Sequence, residues 1–222
     1  QARKQLAAVV SAKPEEVVFT SGATEANNIA LLGLAAHGIS TGKRHIITST
    51  IEHKAVLEPL EHLEQQGFEV TRLAPQAGGW VDSDEIIATV RPDTLLVSLM
   101  HVNNETGVIQ PVEAVANGLV GHDAYFHVDA AQGFGKVLDS LRHSRIDLIS
   151  MSGHKLHAPK GIGALIARRR GYRRPPLTPL TFGGGQERGL RPGTQPVALI
   201  AALGAAAELA VSEHKDRTTA TV

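Results

Sequence analysis

Short apolar, β-branched runs alternate along this chain with longer stretches of helical periodicity. The apolar runs predict strands at 17–20, 45–48, 68–71, 95–100, 124–128, 146–151 and 162–167. Helical spacing predicts helices at 23–37, with Ile29, Leu31, Leu32 and Leu34 on the apolar side, and at 54–66. Ser83 is a candidate cap for a helix at 84–90, which Pro92 would stop, and Pro111 a candidate first residue for a helix reaching 119. An amphipathic helical pattern is already under way in the first ten residues, and an Ala- and Leu-rich helix is expected at 196–211. Residues 212–222 are polar and Thr-rich and read as a flexible tail. Strands alternating with helices imply βαβ units, hence an α/β protein with a mainly parallel sheet of about seven strands. No repeat, linker or composition shift divides it, so 1–222 reads as one domain. Ligands of such sheets sit beyond the carboxyl ends of the strands, so polar residues just after a strand matter most.

Composition narrows the chemistry. The 222 residues carry 22 Lys+Arg against 22 Asp+Glu, a net charge of zero, which argues against a nucleic-acid partner. With no cysteine, the chain has no disulfide framework, zinc ribbon or thiol nucleophile of its own. No apolar run is long enough to span a membrane. There is no initiator Met, signal peptide or targeting arm, so the sequence reads as part of something longer, and a cytoplasmic location is expected.

Four groups follow predicted strands. Thr20-Ser21-Gly22-Ala23-Thr24-Glu25 makes a strand-to-helix junction whose free N–H groups and Thr24 hydroxyl suit a phosphate; taken alone, a plain helix cap with Glu25 as its partner is the commoner reading. Asp129, beside Ala130, Ala131 and Gln132, could hold a proton on a flat ligand's ring nitrogen, or simply form a turn. Lys155, in Ser152-Gly153-His154-Lys155, lies between an apolar strand and a Gly-rich turn, where partial desolvation would suit an imine-forming amine; a surface lysine is the plainer reading. Asn103 and Asn104 offer amides to a ligand oxygen or to their own turn. An aldehyde-reactive amine, a carboxylate, amide donors and a phosphate cradle are together the set that pyridoxal phosphate requires.

The segments FTSGATEANNIAL, IEHKAVLEPL, HVNNETGVIQPV, HVDAAQGFGK, SGHKLHAPKGIGAL and GGGQERGLRPGTQP run in order over 19–196. In them the chain resembles the pyridoxal-phosphate cysteine desulfurases of the NifS/IscS type, within the class V aminotransferases. The resemblance implies a three-layer α/β/α fold, the large domain of the type I pyridoxal-phosphate transferases. It implies Lys155 as the lysine that binds the cofactor and Asp129 as partner of its ring nitrogen. Asn104 and Gln132 would bond the ring oxygen, and His53 would stack on the ring and shuttle protons. Ala23, Thr24, Ser152 and His154 would bind the phosphate, with the Gly153 backbone close by. Thr194 would reach the phosphate of a partner subunit, implying a homodimer with shared sites. The activity implied is conversion of L-cysteine to L-alanine. Lys155 removes the α-proton, and a cysteine thiol takes the sulfur for a sulfur-acceptor protein. That thiol, an N-terminal segment and a C-terminal small domain of the family have no counterpart here, so sulfur transfer by these residues alone is not expected.

Rival readings remain. Selenocysteine lyase shares the GGGQER-x-x-RPGT segment, and a catalytically incomplete scaffold would share the fold. Arg168, Arg169, Arg170, Arg173 and Arg174 form a basic cluster, better read as a solvated strand end or a docking patch than as a nucleic-acid site. His154 with His157, and His122 with His127, lack the pattern of a zinc site, so no metal is expected. A hydrolase triad of Ser152, His154 and Asp129 would need a turn that brings residues 152 and 154 together.

Overall fold

The computed structural model describes residues 1–214. Helix α1 (Ala2–Val9) leads to strand β1 (Val17–Thr20), then α2 (Ala23–Leu32), α3 (Ala35–Thr41) and β2 (His45–Ser49). After α4 (Lys54–Gln65) come β3 (Glu69–Leu73), α5 (Ser83–Ala88), β4 (Thr94–Met100), α6 (Val112–Gly118) and β5 (Tyr125–Asp129). Strands β6 (Leu148–Ser152) and β7 (Gly163–Ala167) and helix α7 (Val197–Ser212) complete the order. The predicted tail falls mostly on residues 215–222, outside the described residues; Ser212 closes α7, and the His214 ring contacts the Lys136 carbonyl at 2.8 Å.

The strands form one seven-stranded sheet in the order β1-β7-β6-β5-β4-β2-β3. Strand β7 runs antiparallel to both neighbours, and the other pairings are parallel. Alternate residues enter different layers because a strand's side chains point to opposite faces. Val17, Phe19, Ile149, Met151, Ala164 and Ile166 join a core with α1, α5, α6 and α7, whereas Val18, Ile46, Leu148 and Leu165 join a second core with α2 and α4. Helices therefore cover both faces, as the three-layer fold requires.

Local chemistry moves several boundaries. The helix expected at 23–37 divides after Leu32 into α2 and α3, and at Gly33 between them a side chain would lie 2.2 Å from the Ile29 carbonyl and 3.2 Å from that of Thr178. The Gly33 carbonyl also accepts the Thr178 amide at 2.9 Å, pinning a distant loop there. Asp82, not Ser83, caps α5, its carboxylate accepting the Asp84 amide at 2.9 Å. Pro111 stands at the cap of α6 rather than inside it.

The arginine cluster divides: Arg173 and Arg174 are exposed, as a solvated strand end would be, whereas Arg168 and Arg170 are engaged by the protein. Arg168 is buried, and its guanidinium donates to the carbonyls of His143, Val10, Ile146 (3.1 Å) and Leu141 (2.8 Å). Arg170 holds Asp147 through two nitrogens at 2.7 and 2.8 Å and lies over the Tyr125 ring. Arg145 adds a third bond to Asp147 at 2.7 Å. These cations tie loops together at the end of the sheet where the parallel strands begin.

Candidate cofactor site

A cavity of about 550 Å³ opens at the carboxyl ends of the parallel strands. It gathers Ala23, Thr24, His53, Asn104, Asp129, Gln132, Ser152, His154 and Lys155 from five separate strand-to-loop junctions. Gly153 and Thr194 are not in its wall.

Each wall residue has a local cause. Helix α2 starts at Gly22, and no side chain caps its first turn, so the backbone there faces the cavity beside Ala23 and Thr24. Glu25 instead accepts the Ser21 amide and, at 2.9 Å, Arg191. The floor is backbone against backbone: a Cβ at Gly163 would fall 2.6 Å from the Gly22 Cα. Only glycine lets β7 pass so close beneath the junction.

His53 is the cap of α4, its Nδ1 accepting the Ala55 amide at 3.0 Å. An accepting Nδ1 puts the proton of the neutral ring on Nε2, leaving that nitrogen for a ligand. The loop before it is anchored by Glu52, which accepts the Ser49 hydroxyl and, at 2.9 Å, the Met100 amide across on β4. Burial pushes the Glu52 carboxyl up to about 8, and Asp129 adds to the rise.

The two neighbouring asparagines divide the work that either could have done. Asn103 is buried and serves its own turn, accepting the Glu105 and Thr106 amides at 2.9 Å each. Asn104 is exposed and borders the cavity, donating to Glu105 at 2.8 Å.

Asp129 ends β5 and is buried. It accepts the Asn27 side-chain amide at 2.7 Å and the Ala131 backbone amide at 3.0 Å. Burial raises its carboxyl above the ordinary carboxylate range, while those two bonds and nearby His53 draw it back. A cation placed against it would favour the ionised form further.

Lys155, half-buried, lies in a short 3-10 turn, Gly153–Leu156, that directly follows β6. That turn brings the Ser152 hydroxyl and His154 Nδ1 to 2.9 Å, so residues 152 and 154 do meet. No hydrogen bond joins His154 to Asp129, which accepts Asn27 and Ala131 instead, so no hydrolase triad forms among the described residues. The Gly153 amide is taken by the Ile162 carbonyl at 2.9 Å, so Gly153 packs the turn and offers no donor to a phosphate.

Thr194 is exposed, on a segment fastened to the cavity's other side. Buried Glu187 accepts Arg3, the Phe19 amide at 3.1 Å and Gln195 at 2.8 Å, with Glu187 and Arg188 both at positive φ (46° and 60°). Asn27, Glu52 and Glu187 escape sequence reasoning because each looks like an ordinary polar residue of a helix or turn; only the motif strings contain them.

Comparison with known proteins places the family and the fold. The family described as Aminotransferase class-V matches residues 1–220. A cysteine desulfurase IscS from Actinobacillus succinogenes is 50% identical over 96% of this chain and 52% of its own length. A mitochondrial cysteine desulfurase from Drosophila melanogaster is 50% identical over 96% of the chain and 46% of its own. The chain thus spans about half the length of the curated relatives it matches. Among solved structures, DndA from Streptomyces lividans superposes with a TM-score of 0.94 at 61% identity, covering 97% of this chain and 61% of that one. SspA, solved in complex with cysteine, gives 0.87 at 47% identity, over 93% of this chain and 59% of that one.

Proposed function

Because the chain belongs to the class-V aminotransferase family, whose cysteine desulfurase relatives are pyridoxal 5′-phosphate enzymes, we propose that it forms the cofactor-binding domain of a cysteine desulfurase. The observation that carries this reading is the convergence of an amine, a buried carboxylate and a helix start on one cavity. The donor set fits the cofactor. Asp129 accepts only two hydrogen bonds, leaving acceptor positions open for a ring N–H. The buried Asn27 Oδ1 in the same wall has no partner among the described residues.

Pyridoxal phosphate, when bound, supplies an aldehyde for an amino group and a ring that stabilises negative charge at the substrate's α-carbon. The chain's residues do the rest. Lys155 would supply the amine that holds the cofactor, and its Nζ would be the group to accept the α-proton. Asp129 keeps a proton on the ring nitrogen. The start of α2, Thr24, Ser152 and His154 hold the phosphate, and Asn104 and Gln132 orient the ring. His53 covers the ring face and moves a proton at Nε2. Thr194 reaches the phosphate of a second copy in a homodimer. L-cysteine is the substrate and alanine the product. The thiol that accepts the sulfur, on its way to an acceptor protein, is not among these 222 residues, which contain no cysteine. No helix of the described residues is long and apolar enough to cross a membrane, and we place the reaction in the cytoplasm.

Visible absorption during titration with pyridoxal phosphate tests the reading. A new band in the parent chain and none in Lys155→Ala is expected; no band in either overturns it. Persulfide formed from L-cysteine by this chain alone would overturn the assignment of the thiol elsewhere.

A further inference from the structure

Asn27 has no role in the account so far, yet it is fully buried, lies in the cavity wall and touches Asp129 directly. It sits in the second turn of α2, just beyond Ala23 and Thr24. Its Nδ2 donates to Asp129 Oδ2 at 2.7 Å, while its Oδ1 has no partner among the described residues. The amide can point only one way, because the flipped form would set Oδ1 against a carboxylate oxygen. The other donor to Asp129 is the Ala131 amide, from the carboxylate's own turn. Asn27 is therefore the contact that ties Asp129 to a different element. A buried polar side chain with one orphaned atom is a poor packing residue; leucine would fill similar space without the cost of desolvation.

We infer that Asn27 is a positioning residue that holds Asp129 in line for the cofactor's ring nitrogen. Through it α2 aligns both ends of the cofactor, its first turn receiving the phosphate and its second turn setting the ring's partner. This rests on the pyridoxal-phosphate reading above, which the experiment separates from the clamp itself.

Asn27→Leu removes the donor and keeps the size. Its affinity for pyridoxal phosphate, from absorption titration, is expected to fall about ten- to hundredfold, the usual effect of losing a hydrogen bond to a charged group. In the cofactor-free chain, the Asp129 side-chain carbon, followed by NMR across pH, should titrate at higher pH than in the parent. A purely structural asparagine would lower the melting temperature and move neither. Unchanged affinity and unchanged titration in a folded Asn27→Leu chain overturn the inference. Asn27→Ser, which keeps a shorter donor, should show smaller shifts in the same directions and serves if the leucine variant does not fold. If the parent chain takes up no cofactor, the cofactor reading falls, and the cofactor-free titration alone decides whether Asn27 clamps Asp129.

Discussion

Asp147 and Asp129 stand at opposite ends of the sheet and are buried to nearly the same degree, 3% and 5% exposed. Their surroundings differ. Asp147 receives Arg145, two nitrogens of Arg170 and the Phe126 amide, which fill the acceptor positions of a carboxylate. Asp129 receives only Asn27 and Ala131. One end is a closed knot of charge that joins loops; the other keeps acceptor capacity facing a cavity. Burial and charge alone do not mark a site, since both ends have them. Incomplete partnering next to open space does.

The contrast can be broken at either end. Asp147→Ala should cost the most, roughly 3–5 kcal/mol in urea unfolding, because it strands two partly buried guanidinium groups. Cofactor affinity of the molecules that stay folded should not change; a loss of less than about 1 kcal/mol would deny that the knot holds the fold.

Glu52 comes next. The folded chain keeps its proton up to about pH 8, whereas an unfolded glutamate releases it near 4.5, so this group lowers stability as pH rises across that window. His127, held near 3 by burial, and His101, near 4, act oppositely: the unfolded rings take protons below 6.5, so stability rises with pH up to that value. Glu52→Gln should therefore gain on the parent as pH rises from 4.5 to 8, by roughly 3–5 kcal/mol at most, because it removes the Glu52 part of the decline. Unfolding midpoints measured at several pH values test this, and parallel parent and variant profiles would refute it.

Asp129→Asn sharpens the comparison most directly. The variant keeps one acceptor oxygen for two donors, Asn27 Nδ2 and the Ala131 amide, so stability should fall by about 1–3 kcal/mol, less than at Asp147, while cofactor binding weakens. A large loss of stability would make Asp129 a second Asp147. The smallest effect belongs to Thr194→Ala, an exposed position expected to change stability by less than about 0.5 kcal/mol. Any dependence on it should appear only in cofactor retention by the dimer.

Much of this was legible in the residues. The apolar runs locate all seven strands within a few positions, six of them because they are buried on both faces, whereas β3 at the sheet edge is largely half-exposed. Nine of the motif residues line one cavity, while Gly153 and Thr194 lie outside its wall. What the string hides is partnership across distance. Thr178 docks on Gly33 between two helices, Arg168 is buried by carbonyls from Val10, Leu141, His143 and Ile146, and Asn27 matters because Asp129 folds against it. Gly153 is a further case: the motif puts its backbone near the phosphate groups, but only the fold shows its amide bonded to the Ile162 carbonyl.

The edge position of β1 has a kinetic consequence. Its ladder partner is β7, with Val17 opposite Ile166, so the earliest strand of the chain cannot pair until the last has been made. The Ser21–Thr24 junction, which continues directly from β1, is fixed in place only by that late step. Sheets closed by such distant contacts assemble slowly. Uptake of the cofactor would then report the end of folding, and its absorption band could serve as a clock for the final strand.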